Sequence, residues 1–472
     1  MMTSKSEMPS CTDRAHNFWD TQYRSAVTGI GWPAIPAPVA ASKLAQLFQL
    51  EQSQWWTPAQ LQDMQFRQLQ QVVRFARETV PFYRQHLKEF SGTHKIDPES
   101  WRNLPILSRQ VLHQAGQQLK SERIPKEHGR QIPVRTSGST GMVVEVLATD
   151  LTQFFWQVFC LRDHHWHRRD MQGKLLVIRY IKDQTGKSAD GLHNQGWGSA
   201  TDNAIHTGPA ALYSILLDVP YLAGRLMEEK PAYLLSHPSV LLGLAQHCLD
   251  HGIRPRGLQE VRSLGESLPE SLRDLCHRAW GVRLVDVYSC QEAGYLALQC
   301  PEHEHYHVQS ENVLLEVIDD AGRPCKPGEI GRVVITSLNN FATPLIRYEL
   351  GDYAEVGEPC PCGRGLSVLK RIMGRYRNLL TLPNGEQRWP RLGYESKLQE
   401  VAPIELMQMI QHSVNEIEVR LVMQRPLTEE EKTHLSAFIH KNLGHPFQLR
   451  FEYVDTIRNS TSGKLEQFIS KL

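Results

Sequence analysis

The sequence predicts an α/β protein with a small α+β unit at its C-terminus. Three observations carry this. Between about 150 and 300, helical patterns mix with short apolar runs such as "KLLVIRY" and "VRLVDVY", as expected of strands covered by helices. From about 312 the runs shorten into "VLLEVID", "GRVVITSL" and "YAEVGE", separated by Gly, Pro and Asp turns. After Gly374 the tail reads as strand, helix and strand.

In chain order, the first fifty residues hold Trp19, Trp32 and "PAIPAPVAA" and predict an irregular arm. Thr57 then starts a helix. It is a capping residue, and Pro58 suits the first turn. Leu61, Met64, Leu69, Val72, Val73 and Phe75 follow at helical spacing. "FFWQVFCLRDHHWHRRD" (Phe154–Asp170) reads better as a core helix with a polar end than as a binding site. "GLHNQGWGSA" reads as a Gly-rich loop. In the tail, "IEVRLVM" is a strand, "TEEEKTHLSAFIHKNLG" a helix with a Thr428/Glu431 capping box and Gly444 at its end, and "FQLRFEYVD" a second strand.

The bulk numbers bound the function. A chain of 472 residues with 41% hydrophobic content supports a large core and suggests two or three domains. A net charge of +1 argues against nucleic acid or an anionic membrane as partner. No apolar stretch approaches the roughly 20 residues that span a bilayer, and the N-terminus shows no signal peptide. Nine cysteines, an odd count, speak for a reducing compartment rather than a disulfide framework. The expectation is a cytoplasmic protein. Its oligomeric state is not legible.

Five short motifs carry the chemistry. "RTSGSTG" packs Ser137, Gly138, Ser139, Thr140 and Gly141 into one loop. Exposed backbone N–H groups with hydroxyls beside them suit phosphate oxygens, though a plain turn has the same composition. No Lys follows Gly141, so it is not a P-loop of the GxxxxGK[ST] kind. "VYSCQEAG" puts Glu292 after a strand, where a carboxylate suits Mg²⁺. "PLIRYELGD" places Asp352 on what reads as a tight turn, fit for ribose hydroxyls or for the turn alone. "GRYRN" marks a joint between units. "NSTSGKLEQF" puts Lys464 near the chain's end.

In this order and spacing the motifs resemble the adenylate-forming acyl-CoA synthetase superfamily, in its phenylacetate-CoA ligase/CapK-like branch, from about Thr57 onward. "SLGESLPESL" resembles the adenine-contacting segment. The resemblance implies a large N-terminal ATP- and acid-binding domain (1–374) and a mobile lid (375–472) carrying the catalytic lysine. It implies a carboxylic acid activated by ATP and Mg²⁺ to an acyl-adenylate, then transfer to a thiol, first of all coenzyme A. A carrier-protein phosphopantetheine or an amine is the alternative acceptor, and an aryl acid one candidate substrate. A reading from another class is a nucleotide-binding module without catalysis.

The resemblance assigns Ser137 to Gly141 to phosphate, with Thr140 among the catalytic groups. It assigns Glu292 to Mg²⁺, Asp352 to ribose and Gly265 and Glu266 to the adenine pocket. Tyr288 lies near the base, with Ser289 and Gln291 beside it. Arg375 is assigned a contact with ribose or phosphate at the hinge. Lys464 bridges the α-phosphate and the attacking carboxylate. His237, Pro238 and Ser239 fall near the acyl pocket, and the same residues read equally well as a capped helix start. Gln291 replaces a usual Thr or Ser, Glu349 a common Arg, and Asn378 a hinge Asp.

One cluster stands apart. Cys300, His303, His305 and His307 lie in "CPEHEHYH", and Cys360 and Cys362 in "PCPCGRG". Zn²⁺ favours four Cys/His ligands, tetrahedral in structural sites. The expected set is Cys300, His307, Cys360 and Cys362, with His303 as substitute for His307. Some phenylacetate-CoA ligase-like proteins resemble this pattern and carry such a metal, and free thiols in a reducing cytosol are the alternative reading. Four protein ligands leave no open position, so the expected role is structural.

Overall fold

Among the described residues, prolines begin the first four helices. In the computed structural model, which describes residues 22–88, 96–135, 144–181, 190–375, 380–388, 401–455, 457 and 468–472, these are α1 (Pro38–Ser53), α2 (Pro58–Thr79), α3 (Pro81–His86) and α4 (Pro98–Arg102). Pro is tolerated there because a first-turn N–H has no partner within the helix. The first of them corrects the irregular arm: "PAIPAPVAA" contains a helix start, and Ala40, Lys43, Leu47 and Leu50 fall on one buried face. Thr57 caps α2 through the Gln60 N–H, and Gln60 returns the bond. The buried stripe of α2 runs through Leu61, Phe66, Leu69, Val72, Val73 and Ala76. Met64 lies off it and is exposed.

After α5 (Arg109–Ala115), capped by Ser108, β1 (Gln131–Arg135) and β2 (Glu145–Thr149) pair antiparallel. Arg135 faces Glu145 in register, so the two ends of the intervening segment are held together. Next comes α6 (Asp150–Trp166), the predicted core helix. Its polar end is buried: Asp163 accepts from Arg169 at 2.7 Å and from Arg262 at 2.6 Å. Opposite charges satisfy one another there, as burial requires.

The half of the main sheet that is parallel apart from its antiparallel edge strand β4 follows as β3 (Leu175–Arg179), β4 (Leu192–Asn194), β5 (Ala210–Ser214), α7 (Val219–Glu229), β6 (Tyr233–Ser236), α8 (Pro238–Asp250), β7 (Glu260–Leu264), α9 (Glu270–Trp280) and β8 (Arg283–Cys290). The antiparallel half is β9 (Gly294–Gln299), β10 (Tyr306–Val308), β11 (Val313–Ile318), β12 (Ile330–Ser337), β13 (Tyr348–Val356) and β14 (Val368–Arg375). Together they form twelve strands in the order β11-β12-β13-β14-β10-β9-β8-β7-β6-β3-β5-β4. β3, β5, β6, β7 and β8 run parallel, and the sense reverses at β9. Leu226, Leu241, Leu244, Leu272 and Leu275 of α7, α8 and α9 pack on Leu176, Leu234, Val261 and Leu284 of the parallel strands. A core on α2 and its neighbours covers the antiparallel half.

The tail contains the hairpin β15 (Leu380–Thr381) and β16 (Gln387–Arg388), then β17 (Ile404–Gln411), β18 (Glu416–Met423), α10 (Glu429–Leu443), β19 (Gln448–Tyr453) and β20 (Phe468–Ser470). Its sheet order is β19-β18-β17-β20. The capping box and the left-handed Gly444 occur as read from sequence. This unit has its own core, from Leu380 and Leu382 through Val419, Leu435 and Phe447 to Phe468. Among the described residues no helix is long and apolar enough to cross a membrane.

Candidate active site

Parallel strands leave their carboxyl ends on one rim, where crevices form. β6 ends at Ser236 and hands the chain to His237, Pro238 and Ser239. β7 ends at Leu264 and hands it to Gly265 and Glu266. β8 ends at Cys290, two residues before Glu292. The rim thus brings three predicted segments together.

The first two form one unit. His237 Nδ1 lies 2.9 Å from the Leu264 carbonyl. Glu266 accepts from the Ser239 backbone N–H at 2.9 Å and from its hydroxyl at 3.1 Å. A carboxylate at the first turn of α8 is favoured by the helix dipole. Gly265 has φ +83°, a conformation that glycine adopts without strain.

The third segment meets β13. The Tyr288 hydroxyl donates to Asp352 Oδ2 at 2.8 Å. Asp352 is not on a tight turn, as its Gly-Asp sequence suggested. It lies inside β13, where the pairing with β12 slips between Tyr353 and Glu349. Gly351, at φ +88°, makes that bulge, which re-aims the next side chain. Asp352 also faces Arg375 in the β13–β14 ladder. Glu349, the charge-reversed position, pairs with Arg332 at 2.9 Å.

Glu292 sits in the turn from β8 to β9. It is nearly buried and pairs with Arg109 of α5 at 3.5 Å. Ser289 is half-buried and Gln291 exposed. Asn312 holds the far side of this turn, donating to the carbonyls of Ala293 at 3.1 Å and Tyr295 at 2.7 Å. Sequence reasoning missed both Arg109 and Asn312. Each lies far along the chain from Glu292, and neither carries a motif. Ser137, Gly138, Ser139, Thr140, Gly141 and Lys464 lie outside the described residues.

The Cys/His cluster assembles at the opposite rim. Cys300 follows β9, whose six residues carry the chain roughly 17–20 Å away from the Glu292 turn. The ligand atoms of Cys300, His307, Cys360 and Cys362 all lie within 4.8 Å of one another. Cys300 and Cys360 sulfurs are 3.8 Å apart, and Cys362 Sγ is 3.4 Å from His307 Nε2. Tetrahedral zinc, with bonds of about 2.3 Å to sulfur and 2.0–2.1 Å to nitrogen, requires ~3.8 Å and ~3.6 Å for these separations. The residues therefore fit the metal. The Cys300 thiol, and the His307 ring after it, hold Cys362 well below the ordinary thiol range, while burial pushes Cys360 up to about 11. His303 is not in the group and stacks on His305 instead.

Comparisons with known proteins bear on this arrangement. Residues 395–471 match the CapK C-terminal domain. The chain is 27% identical over 346 residues to a phenylacetate-coenzyme A ligase of Thermus thermophilus, covering 68% of this chain and 72% of that protein. It is 22% identical over 417 residues to Protein CapK of Staphylococcus aureus, covering 85% and 87%. Its fold is similar to the crystal structure of 2-hydroxyisobutyryl-CoA ligase in the postadenylation state in complex with R3-HIB-AMP, with a TM-score of 0.69 at 19% identity, covering 89% of this chain and 92% of that one. Relatives named phenylacetate-coenzyme A ligase and Protein CapK, the CapK C-terminal domain match and the acyl-CoA ligase fold together support the resemblance to the adenylate-forming phenylacetate-CoA ligase/CapK-like branch.

Proposed function

We propose that this chain activates a carboxylic acid with ATP and passes the acyl group to the thiol of coenzyme A. A carboxylate oxygen attacks the α-phosphorus, the bond to the β-phosphate oxygen breaks, and pyrophosphate leaves. The thiolate then attacks the acyl carbon, and AMP leaves. The relatives' names support the general reaction. The observation that carries the site is the meeting of Glu292, the Tyr288–Asp352 pair and the Glu266–Ser239 unit at adjacent strand ends. Such a rim suits a nucleotide.

In this reading Asp352 accepts from the ribose hydroxyls, held in place by Tyr288. Gly265 and Glu266 border the adenine. Ser137 to Gly141 cradle phosphates, and Arg375 contacts ribose or phosphate at the hinge. His237, Pro238 and Ser239 border the acid. Lys464 neutralises the charge between α-phosphate and carboxylate. Glu292 is the carboxylate for Mg²⁺, which would supply charge neutralisation on the phosphates. Holding reactants and opposing their charge is most of what such a transfer needs. Residues 375–472 act as a lid that moves between half-reactions. Cys300, His307, Cys360 and Cys362 hold a structural zinc. An aryl acid is the first substrate class to try.

The experiment is pyrophosphate release by wild type and Lys464→Ala with ATP, Mg²⁺, hydroxylamine and a panel of acids. Release by wild type alone, with a hydroxamate from one acid class, supports the reading and names that class. Coenzyme A, a carrier protein and an amine offered in parallel are separated by mass spectrometry. ATP binding without release on any acid would favour a non-catalytic module.

A further inference from the structure

Glu292 shares its pocket with a cation of the chain itself. Arg109 Nη1 lies 3.5 Å from Glu292 Oε1, and the two side chains are 13% and 6% exposed. The same nitrogen donates to the Tyr348 hydroxyl at 3.2 Å. Tyr348 is fully buried, and burial with the Glu292 charge beside it keeps the phenol protonated. The root of Arg109 is anchored as well. Ser108 caps α5, and Leu107 bonds both neighbours of Tyr348, through its N–H to the Arg347 carbonyl at 2.9 Å and its carbonyl to the Glu349 N–H at 3.0 Å.

We propose that Arg109 is the resident counter-cation of Glu292, which the divalent metal arriving with ATP displaces, and that the displaced guanidinium then neutralises phosphate charge. This rests on the reading of Glu292 as the metal carboxylate. Burying a carboxylate is costly unless a cation pairs with it. Arginine does not yield by losing its proton, so it yields by moving. Its ion pair is longer than the ~2.7–2.9 Å of a strong charge-assisted bond, and a hard divalent ion is the better partner for carboxylate oxygen. Two cations at one carboxylate repel. The Tyr348 hydroxyl gives Arg109 a neutral contact that survives the exchange. A planar guanidinium suits phosphate oxygens once it is released.

The two roles pull metal binding and turnover in opposite directions, which a structural ion pair does not do. Mn²⁺ is titrated into ATP-saturated protein without acid and followed by paramagnetic resonance. Pyrophosphate release is measured separately. Arg109→Met is expected to bind Mn²⁺ about 5-fold more tightly, having lost the competitor, while kcat falls about 10–100-fold. Arg109→Lys is expected to keep near wild-type Mn²⁺ affinity and recover part of kcat. Should Arg109→Met fail to fold, Arg109→Gln, equally neutral, carries the same expectation. Unchanged or weaker Mn²⁺ binding in the neutral variant overturns the inference while wild-type turnover leaves the functional reading standing. Wild type that neither binds Mn²⁺ with ATP nor releases pyrophosphate overturns both.

Discussion

The Tyr288 hydroxyl lies 2.8 Å from Asp352 Oδ2, although three strands, β9, β10 and β14, separate their own strands in the sheet. Four strand spacings of about 4.8 Å would hold them roughly 19 Å apart in a flat sheet. The antiparallel half must therefore curl back over β8, and the bulge at Gly351 is placed to help it bend.

Asp352→Ala is expected to raise KM for ATP about 10-fold or more, because hydrogen bonds to a charged group are worth ~1.5–3 kcal/mol each. Tyr288→Phe keeps the carboxylate and loses only its orientation, for an increase of about 3-fold. Pyrophosphate-release kinetics read both. An unchanged KM in Asp352→Ala would take Asp352 out of nucleotide binding.

Lys464→Ala is expected to abolish adenylation while thioester formation from a supplied acyl-adenylate continues. The lysine acts on charge that develops at the α-phosphate, so the second half-reaction does not need it. Single-turnover assays of each half measure this. Equal loss in both would show that Lys464 serves the fold or the acceptor.

Cys360→Ser with Cys362→Ser removes two of the four clustered ligands. About one zinc per chain is expected in wild type and little in the variant, with a melting temperature lower by about 5 °C or more. Elemental analysis and thermal melting decide it. Full zinc in the variant would exclude this cluster as the site.

Asp286 is buried, and that burial pushes its carboxyl from 3.8 up to about 6, against bonds from Ser263 at 2.5 Å and Tyr306 at 2.8 Å. The folded chain holds this proton more tightly than the unfolded one. Its contribution therefore falls as pH rises from 4 to 6, by up to ~3 kcal/mol, and stays lost above 6. Asp286→Asn, always neutral, is expected to lack this loss. The melting-temperature difference between variant and wild type should shift in the variant's favour as pH rises from 4 to 7. A difference independent of pH would mean that Asp286 titrates in its ordinary range.

The sequence by itself determined the local pieces. Thr57, Thr428 and Gly444 marked helix ends through hydrogen bonds made within a few residues. "KLLVIRY", "VRLVDVY" and "GRVVITSL" marked strands because alternation and branching act locally. The ordered motifs carried the family resemblance, since their spacing follows from the chain alone. Proline-rich composition misled at Pro38, where the residues that initiate a helix also read as irregular, and burial against α6 settled it. Only the tertiary structure decided partners. Arg109 meets Glu292 across 183 positions of sequence, Asn312 grips the turn after it, and His307 rather than His303 joins the three cysteines. Such contacts depend on how strands and helices pack and on where a sheet curls. No periodicity within one segment encodes that, because the energy deciding it belongs to surfaces brought together from distant parts of the chain.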